Sequence, residues 1–415
     1  MELKFAHMAD LHLGATSDQT LRKVEIETLE KTIDICITED VDFILLAGDI
    51  FHVNIPDLAV VRDSVRAFMK FIGTGRKIYV VYGSHDFSPN STSIIDILEE
   101  AGVMLRVGKP SVVDCKLRPE VITDERSGAL ITGISGRRAS LEKEAYLNLD
   151  RDYLASLKGP KIFMFHTGIE EIRKEGEKFE GISAADLPRG FDYYAGGHIH
   201  RRIENSKGMK IVYPGPLFTG WGIDMENTVK GEKRGFYIVD ISTTLSTRFV
   251  DMTSFKGIYR ELDATGLATP AVNAKLKAIG EEVEAKGKVV VVKVFGEMAA
   301  GKTSDIEFVA FREALMNKGA IYLHLSRYQL RSRESSDFTF AGDEQGEIED
   351  RVLNELVGTL RVKEPVLRDS SPRLAKELLS HLRVQKMEGE TESDYDAKIN
   401  SAAIETLGIK KLMER

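Results

Sequence analysis

Cysteine is scarce in this sequence and long apolar runs are absent, and each shortage excludes a class of protein. Only Cys36 and Cys115 occur among 415 residues, and they form no CxxC pattern. Two isolated thiols in apolar surroundings are typical of a reducing compartment, so we expect both to be buried and not joined in a disulfide. No stretch reaches the roughly 18 uncharged apolar residues of a membrane span, which predicts a soluble, cytoplasmic protein with no membrane partner.

An excess of positive charge is also missing. The chain carries 57 Lys and Arg against 65 Asp and Glu, and its formal net charge is -8. This balance argues against nucleic-acid binding over the whole surface, because such coating depends on a basic protein. It does not exclude a local site, since metal ions and a few arginines supply positive charge where a phosphate binds.

Apolar segments of strand length alternate with amphipathic helical patterns between Lys4 and about Asp251. The clearest strand patterns lie at residues 43–46, 78–81 and 161–165, and the clearest helical patterns at 29–37 and 58–72. After His200 the helical patterns end and strand patterns follow. This order predicts an α/β fold in which two sheets pack as a β-sandwich flanked by helices.

The pattern resets near residue 256 and again near residue 334. The first reset predicts a small α/β domain, with helices near 272–285 and 305–317 and strands near 289–295 and 320–330. A charged, serine-rich stretch that starts at Arg331 predicts a linker, and apolar stripes at helical spacing follow it, the last two at 374–382 and 395–407. We therefore expect a main domain at 1–255, a small domain at 256–333, a linker with one helix at 334–368 and a helical tail at 369–415.

Five short strings of histidine and carboxylate carry the chemistry of this sequence. Each follows an apolar run of strand length, so each places a ligand where a strand ends, at one rim of a sheet. They contain six of the 9 histidines. The strings are Asp10-Leu11-His12, Gly48-Asp49-Ile50-Phe51-His52, Gly83-Ser84-His85-Asp86, Phe165-His166 and Gly197-His198-Ile199-His200. Together they predict one dinuclear metal site.

Two divalent ions about 3.5 to 4 Å apart polarise a phosphoryl oxygen and lower the pKa of a bound water, which phosphodiester hydrolysis requires. Ions this close need a bridging anion, and Asp49 is the best candidate because Gly48 allows a close backbone approach. Mixed imidazole and carboxylate ligands suit Mn, Fe or Zn better than Ca or Mg. The residues alone do not choose among those three metals.

The order of these strings resembles the calcineurin-like metallophosphoesterase superfamily. Within it, the segments 9–14, 47–52 and Tyr213-Pro214-Gly215 resemble the double-strand-break repair nucleases called meiotic recombination eleven, whose bacterial relative is SbcD. The small domain and the helical tail also fit the layout of that family. The resemblance implies a metallophosphoesterase-like fold, a capping domain for DNA at 256–333 and an ATPase-binding segment at 369–415.

The resemblance also implies a role for each residue of the site. The ligands of one metal ion would be Asp10, His12 and His200, those of the other would include His166 and His198, and Asp49 would bridge the two. His85 would donate a proton to the leaving group, and His52 would orient the substrate. Asp86 would contact His85 and hold its tautomer without binding a metal itself. The implied cofactors are two divalent ions per chain, with Mn²⁺ favoured.

Ser84 departs from the family pattern. The family has an amide ligand of the second metal at this position, and a hydroxyl is shorter and a poorer donor. Either Ser84 is a tolerated ligand, which we favour, or this chain holds the second metal weakly or through a water.

The implied activity is that of a nuclease that processes DNA ends by 3′ to 5′ exonuclease and single-strand endonuclease action. The implied assembly is a homodimer in complex with an SMC-like coiled-coil ATPase, which the C-terminal helices would bind. Two alternatives stay open. One is a catalytically weakened scaffold that holds DNA ends and the ATPase, and the other is a phosphatase or phosphodiesterase of the same superfamily that acts on small substrates.

Two further signals have competing interpretations. The basic pairs Arg137-Arg138 and Arg201-Arg202 lie beside predicted loops, where they either contact a DNA backbone or are ordinary solvated charges. The segment Gly296–Thr303 matches the phosphate-binding pattern GxxxxGKT after a predicted strand. No later apolar strand ends in an acidic metal ligand, so we favour a glycine turn in which Ser304 or Asp305 caps the next helix.

Overall fold

The computed structural model of the chain divides into two compact units, Met1–Glu334 and Ser335–Arg415. It describes residues 3–87, 92–136, 142–174, 177, 179–205, 208–219, 222–242, 244–333, 371–382, 384 and 392–408. The strands of the first unit are β1 (Leu3–Met8), β2 (Phe43–Ala47), β3 (Lys77–Val81), β4 (Leu105–Arg106), β5 (Pro110–Val113), β6 (Lys116–Pro119), β7 (Ile122–Thr123), β8 (Leu130–Ile134), β9 (Lys161–His166), β10 (Gly168–Ile169), β11 (Gly181–Ile182), β12 (Tyr193–Gly197), β13 (Ile203–Asn205), β14 (Ile211–Tyr213), β15 (Gly235–Ile241), β16 (Leu245–Asp251), β17 (Lys256–Asp263), β18 (Lys288–Met298), β19 (Tyr322–Ser326) and β20 (Leu330–Ser332). Its α-helices are α1 (Gln19–Thr38), α2 (Leu58–Ile72), α3 (Ile94–Glu100), α4 (Lys143–Leu147), α5 (Arg151–Ser156), α6 (Gly222–Val229), α7 (Thr269–Glu282) and α8 (Phe308–Asn317).

Two six-stranded sheets form most of the first unit. Their strand orders are β16-β15-β1-β2-β3-β4 and β13-β14-β12-β9-β8-β7. In the first sheet β1 to β4 run parallel, and β15 and β16 complete one edge in antiparallel pairs. In the second sheet β14, β12, β9 and β8 run parallel. A parallel pair needs a crossover connection, which explains why strands and helices alternate in the sequence.

The two sheets pack face to face over a shared apolar core. Phe5 and Phe43 of the first sheet stack with ring centroids 5.2 Å apart, and Tyr193 of the second sheet meets Phe5 edge-on at 5.3 Å. Helices α1 to α3 cover the outer face of the first sheet, and α4 and α5 cover that of the second. The predicted two-sheet sandwich flanked by helices is confirmed.

The helices that follow the first two strings begin at side-chain caps. Asp18 accepts the N–H of Leu21 at the start of α1, and Asp57 accepts the N–H of Ala59 at the start of α2. These bonds satisfy backbone N–H groups that have no partner within the first helical turn. Each cap therefore sets where the loop that carries a metal-site string ends.

A smaller sheet with two helices completes the first unit. Its central strand β18 pairs in parallel with β17, β19 and β20, and α7 and α8 share its apolar core. The single strand predicted at 320–330 is divided into β19 and β20, and Arg331, the expected start of the linker, lies within β20. Because this sheet belongs to the same compact unit as the sandwich, the domain boundary at 255 stays a prediction.

The segment Gly296–Thr303 does not form a phosphate-cradling loop. Strand β18 continues through Met298, where it pairs with β20, so these backbone groups serve a sheet instead of surrounding an anion. The cap predicted for the following helix differs as well. Asp305 closes a short 3-10 turn with Lys302, and Glu307 precedes α8 without a capping bond from its side chain.

Two other features of the first unit differ from the prediction. The sequence predicts no helix between His200 and about residue 255, yet α6 is present there. Its buried residues are mostly polar, so it has no apolar stripe to detect. Cys36 is buried and free as expected, but Cys115 is exposed. Asp114 and Cys115 have positive φ values of 48° and 60° and form the two-residue turn between β5 and β6, which explains that exposure.

The described part of the second unit consists of two helices, α9 (Ser371–Leu382) and α10 (Glu392–Leu407), which pack against each other. The hydroxyl of Tyr395 donates to the carbonyl oxygen of Val384 at 2.7 Å. The two helices predicted for the tail are therefore confirmed. The helix predicted within 334–368 lies outside the described residues.

Candidate metal centre

The ends of five parallel strands bring the histidine and carboxylate strings together. The strings lie at the carboxyl ends of β1, β2 and β3 in the first sheet and of β9 and β12 in the second. The carboxyl ends of parallel strands share one edge of a sheet, which is where ligands bind in such folds. Three groups of possible ligands result, each with nitrogen or oxygen atoms within 4.8 Å of one another: Asp10, His12 and His200; Asp10, Asp49 and His166; and His12, His52 and His85.

The backbone of this edge is strained at the residues that carry the chemistry. Asp10, His12, Asp49 and His198 have positive φ values of 51°, 44°, 52° and 89°. Such a conformation costs about 1 to 3 kcal/mol for a residue other than glycine, and it clusters at functional sites. Backbone bonds enforce it, since Asp10 N–H donates to the carbonyl of Gly48 at 3.0 Å and His12 N–H to that of Asp49 at 2.9 Å.

Asp49 lies between the two sets of ligands. Its Oδ2 is 3.2 Å from Nε2 of His166 and 3.6 Å from Nε2 of His12. Its Oδ1 accepts the N–H of His85 at 2.8 Å. A Cβ at Gly83 would lie 2.1 Å from Oδ1, so only glycine permits this approach. This is the arrangement that a carboxylate shared by two cations requires.

The residues around Asp10 fit a bound cation. Oδ2 of Asp10 is buried and has no hydrogen-bond partner in the part of the chain that the structure describes. The Nε2 atoms of His12 and His200 face each other at 3.1 Å. A buried carboxylate oxygen without a partner is costly, and a cation would satisfy it together with both nitrogens. The combination of oxygen and imidazole donors suits Mn, Fe or Zn.

His166 presents its Nε2 atom to the centre because its Nδ1 is already occupied. Nδ1–H donates to the carbonyl oxygen of Ala47 at 2.8 Å. The ring meets that of His198 edge-on, with centroids 5.3 Å apart. A hydrogen bond from the second ring nitrogen is the usual device that fixes the tautomer of a metal-binding histidine.

The charges of the His166 and His200 rings follow from these contacts. Burial lowers the pKa of His166, but the carboxylates of Asp49 and Asp10 more than offset this and raise it to about 10. Burial also opposes protonation of His200, but the carboxylates of Asp224, Asp10 and Asp49 together outweigh it, so that the pKa of His200 rises to about 9. Both imidazoles therefore carry protons at neutral pH that a bound cation would displace.

His85 is fixed by His52, and the role predicted for Asp86 is wrong. Nδ1–H of His85 donates to the carbonyl oxygen of His52 at 2.6 Å, and the two rings stack at 5.4 Å. The buried carboxylate of Asp86 instead accepts the N–H groups of Ile50 at 3.0 Å and Gly83 at 2.9 Å. Asp86 therefore joins the loops after β2 and β3, which positions Asp49 and not the His85 ring.

Ser84 stands beside the proposed bridge. Its Oγ lies 3.4 Å from Oδ2 of Asp49, which is longer than an ordinary hydrogen bond between oxygens. A hydroxyl at this place could reach a cation shared with Asp49 directly or through a water. The role of Ser84 as a ligand stays a prediction.

The basic residues near the centre are engaged in other contacts. Nε of Arg201 donates to Oε1 of Glu177 at 2.9 Å, and the guanidinium of Arg202 lies over the ring of Phe249 at 4.7 Å. A DNA phosphate would have to compete with Glu177 for Arg201. Arg137 and Arg138 lie outside the described residues. Binding of DNA by these four arginines stays a prediction.

Two residues of the site were missed at the level of sequence. Asp224, on α6, contacts Nδ1 of His200, and Arg234, which precedes β15, donates to the carbonyl oxygen of His200 at 2.7 Å. Neither belongs to a string, and no spacing relates them to His200. A cleft of about 650 Å³ opens beside them, lined by His198, His200, Arg201 and Asp224 among others.

Comparison with known proteins agrees with this geometry. Residues 3–202 match the family described as calcineurin-like phosphoesterase. These residues contain all five strings, so the resemblance stated for the strings is confirmed. Metal-dependent hydrolysis of phosphoesters, the enzyme class predicted from the sequence, agrees with this match and with the ligand groups.

The curated relatives to which the chain is similar include several Mre11 proteins. It is 29% identical over 251 residues to the DNA double-strand break repair protein Mre11 of Methanocaldococcus jannaschii, covering 58% of this chain and 63% of the relative. The protein of the same name from Sulfurisphaera tokodaii is 29% identical over 255 residues, covering 58% and 60%. The uncharacterized metallophosphoesterase YhaO of Bacillus subtilis is 26% identical over 261 residues, covering 58% of each chain. The match thus spans less than two thirds of each relative.

Among the helices that the structure describes, none has both the length and the apolar character needed to cross a membrane.

Proposed function

We propose that this chain is a dinuclear-metal nuclease that processes the ends of DNA double-strand breaks, by 3′ to 5′ exonuclease and single-strand endonuclease action. The observation that carries the proposal is the position of Asp49, whose Oδ2 lies 3.2 and 3.6 Å from Nε2 atoms of two different ligand groups. The names of the archaeal relatives, which are DNA double-strand break repair proteins, support DNA as the substrate. Mn²⁺ is the proposed metal, because the donor set suits it.

The residues of the chain have distinct tasks in this proposal. Bound cations would supply a polarised phosphoryl oxygen and a water of lowered pKa. Asp10, His12 and His200 would hold one ion, and His166 and His198 the other, with Asp49 shared and Ser84 beside it. Because Nδ1 of His85 is bonded to His52, Nε2 is the ring atom available to give a proton to the leaving oxygen. The ring of His52, stacked on that of His85, would orient the scissile phosphate.

We also propose the assembly that the resemblance implies. Residues 256–333 would cap the DNA, and the helices within 369–415 would bind the coiled coil of an SMC-like ATPase in a homodimeric complex. The side chain of Leu382 at the end of α9 is 63% exposed, which supports α9 as a docking helix.

One observation favours a second candidate, a catalytically weakened scaffold that holds DNA ends. Ser84 offers a short hydroxyl, 3.4 Å from Asp49, where the related nucleases offer an amide. If this substitution loosens the second ion, the chain would bind DNA and cleave it poorly.

Cleavage assays separate these functions. The full chain would be incubated with Mn²⁺ and end-labelled duplex DNA, single-stranded DNA or a small phosphodiester. The variants are His85→Ser, Ser84→Asn and the control His324→Gln, which changes a histidine on β19 outside the metal groups. We expect DNA cleavage by the unaltered chain and by the control, and a loss of about a hundredfold or more in His85→Ser because the proton donor is gone.

Two other results of these assays would support a different function. Cleavage of DNA only after Ser84→Asn would support the scaffold. Hydrolysis confined to the small phosphodiester or to phosphomonoesters would identify a phosphatase or phosphodiesterase of the same family and refute the nuclease.

A further inference from the structure

The outer contact of His200 is made by a carboxylate from a separate helix. Oδ2 of Asp224 lies 2.6 Å from Nδ1 of His200, and the Asp224 side chain is 8% exposed. With Nδ1–H donated to this carboxylate, Nε2 is the ring nitrogen directed at the centre, where it faces Nε2 of His12 at 3.1 Å. Asp224 therefore determines both the tautomer and the direction of the His200 ring.

A buried arginine joins the two segments that carry this pair. Nη1 of Arg234 donates to the carbonyl oxygen of His200 at 2.7 Å, and Nη2 donates to that of Asp224 at 3.1 Å. Its Nε donates to Oγ1 of Thr228 at 2.7 Å, on the same helix as Asp224. Arg234 is only 2% exposed. The planar guanidinium offers several donors in fixed directions, so one side chain holds the loop after β12 at a set distance from α6.

The opposite side of α6 is anchored against the smaller sheet. Met225 of α6 shares an apolar cluster with Val289 and Val291 of β18. The methyl groups of Val229 pack so tightly against the backbone of β17 that a Cβ at Gly257 would lie 2.4 Å from one of them. The helix that carries Asp224 is therefore held from both sides, and its carboxylate has little freedom to move away from His200.

We infer that Asp224 is a positioning residue of the metal centre, which aims Nε2 of His200 at one cation while Arg234 fixes the distance between the two segments. The inference rests on the proposed metal centre and adds a residue outside its five strings. It predicts different effects on the two ions. His200 belongs to the group with Asp10 and His12, so loss of the Asp224 carboxylate should weaken that ion and spare the ion beside His166.

Metal titration of the full chain tests this claim. Free Mn²⁺ would be measured by electron paramagnetic resonance for the unaltered chain, Asp224→Asn and Asp224→Ala. The matched control is Glu177→Gln, which removes a carboxylate from the wall of the same cleft without touching His200. We expect two Mn²⁺ in the unaltered chain and the control, and an affinity about 10 to 100 times weaker for one ion in both Asp224 variants. The midpoint of thermal unfolding in the absence of metal would be measured for each variant.

A spectroscopic measurement distinguishes positioning from a merely structural role. In the Zn²⁺-loaded unaltered chain, nitrogen NMR of the histidine rings should show a protonated Nδ1 for His200 with a strongly hydrogen-bonded proton. That signal should shift or disappear in Asp224→Ala, while the signals of His166 stay in place.

The results that would overturn this inference differ from the result that would refute the proposed metal centre. Unchanged affinity for both ions in Asp224→Ala would overturn the inference, and so would equal weakening of both ions together with a lower unfolding midpoint. An unaltered chain that binds no Mn²⁺ at all would refute the metal centre itself, and this inference would fall with it.

Discussion

The Nε2 atoms of His12 and His200 lie 3.1 Å apart although the two residues are separated by 188 positions in the chain. Two imidazole nitrogens at this distance need a proton or a cation between them, because their lone pairs otherwise repel. Asp49 Oδ2 lies 3.6 Å from the same His12 atom and 3.2 Å from His166. The contact between His12 and His200 therefore marks one side of a centre whose middle is Asp49.

Replacing Asp49 should prevent two cations from binding side by side. Asp49→Ala removes the carboxylate whose Oδ2 lies 3.6 Å from Nε2 of His12 and 3.2 Å from Nε2 of His166, so two cations would repel each other without this shared anion. Calorimetric titration should show at most one tightly bound Mn²⁺ per chain instead of two. Asp63→Asn on α2, whose carboxylate pairs with Arg62 at the surface, is the control. Two ions retained by Asp49→Ala would contradict the bridging role.

Binding of the metal should release protons. The pKa of His166 is raised to about 10 and that of His200 to about 9 in the cation-free protein, so both rings are protonated at neutral pH and must lose a proton to bind. Protons compete less as the pH rises, and because each ion displaces the proton of one of these rings, the affinity for each Mn²⁺ should increase by up to about tenfold per pH unit below pH 9. Calorimetry in two buffers of different ionisation enthalpy measures the number released. An affinity that does not change between pH 6 and pH 8 would refute this charge distribution.

Glu25 should make the stability of the fold depend on pH. It is buried on α1, where it accepts the N–H of Gly14 at 3.0 Å, and burial raises its pKa to about 7. A raised carboxyl pKa means that the folded state holds its proton more tightly than the unfolded state. Its contribution to the free energy of unfolding therefore falls as pH rises from about 4.5 to about 7, by on the order of 3 kcal/mol, and then levels off.

Urea denaturation at pH 5 and pH 8 measures this contribution. Glu25→Gln keeps an acceptor for Gly14 and carries no charge, so the loss of stability between the two pH values should be smaller than in the unaltered chain. Glu27→Gln, an exposed residue of the same helix, is the control. An equal pH dependence in Glu25→Gln and the unaltered chain would show that Glu25 titrates normally.

Metal binding should not depend on the helical tail. Deleting the chain beyond about Val366 removes α9 and α10 and should abolish association with a coiled-coil ATPase, while two Mn²⁺ ions still bind. Leu382→Glu is a milder variant, since this side chain is 63% exposed and its change should weaken docking without unfolding α9. Co-purification with the ATPase reports the first property and metal titration the second. Loss of metal binding on truncation would show that the tail supports the centre.

Much of the fold was predictable because its signals are local. An apolar run followed by a polar string predicts the end of a buried strand, and this holds for Asp10, Asp49 and His166. Other features could not be predicted, because they depend on the directions of side chains, which the periodicity of a sequence does not encode. Asp86 is adjacent to His85 in the chain, yet it accepts backbone N–H groups of Ile50 and Gly83. Helix α6 has no apolar stripe, because it lies between a polar centre and a sheet.

The amino-acid sequence by itself determined which donors exist and where each meets the end of a strand, since both properties follow from a few neighbouring residues. Only the tertiary structure decided which donors lie within reach of one another, that Arg201 is paired with Glu177, and that Asp224 and Arg234 hold His200. The physical reason is that hydrogen bonds and ion pairs act over about 3 Å in space, whatever the distance along the chain. Packing of two sheets brings those atoms together.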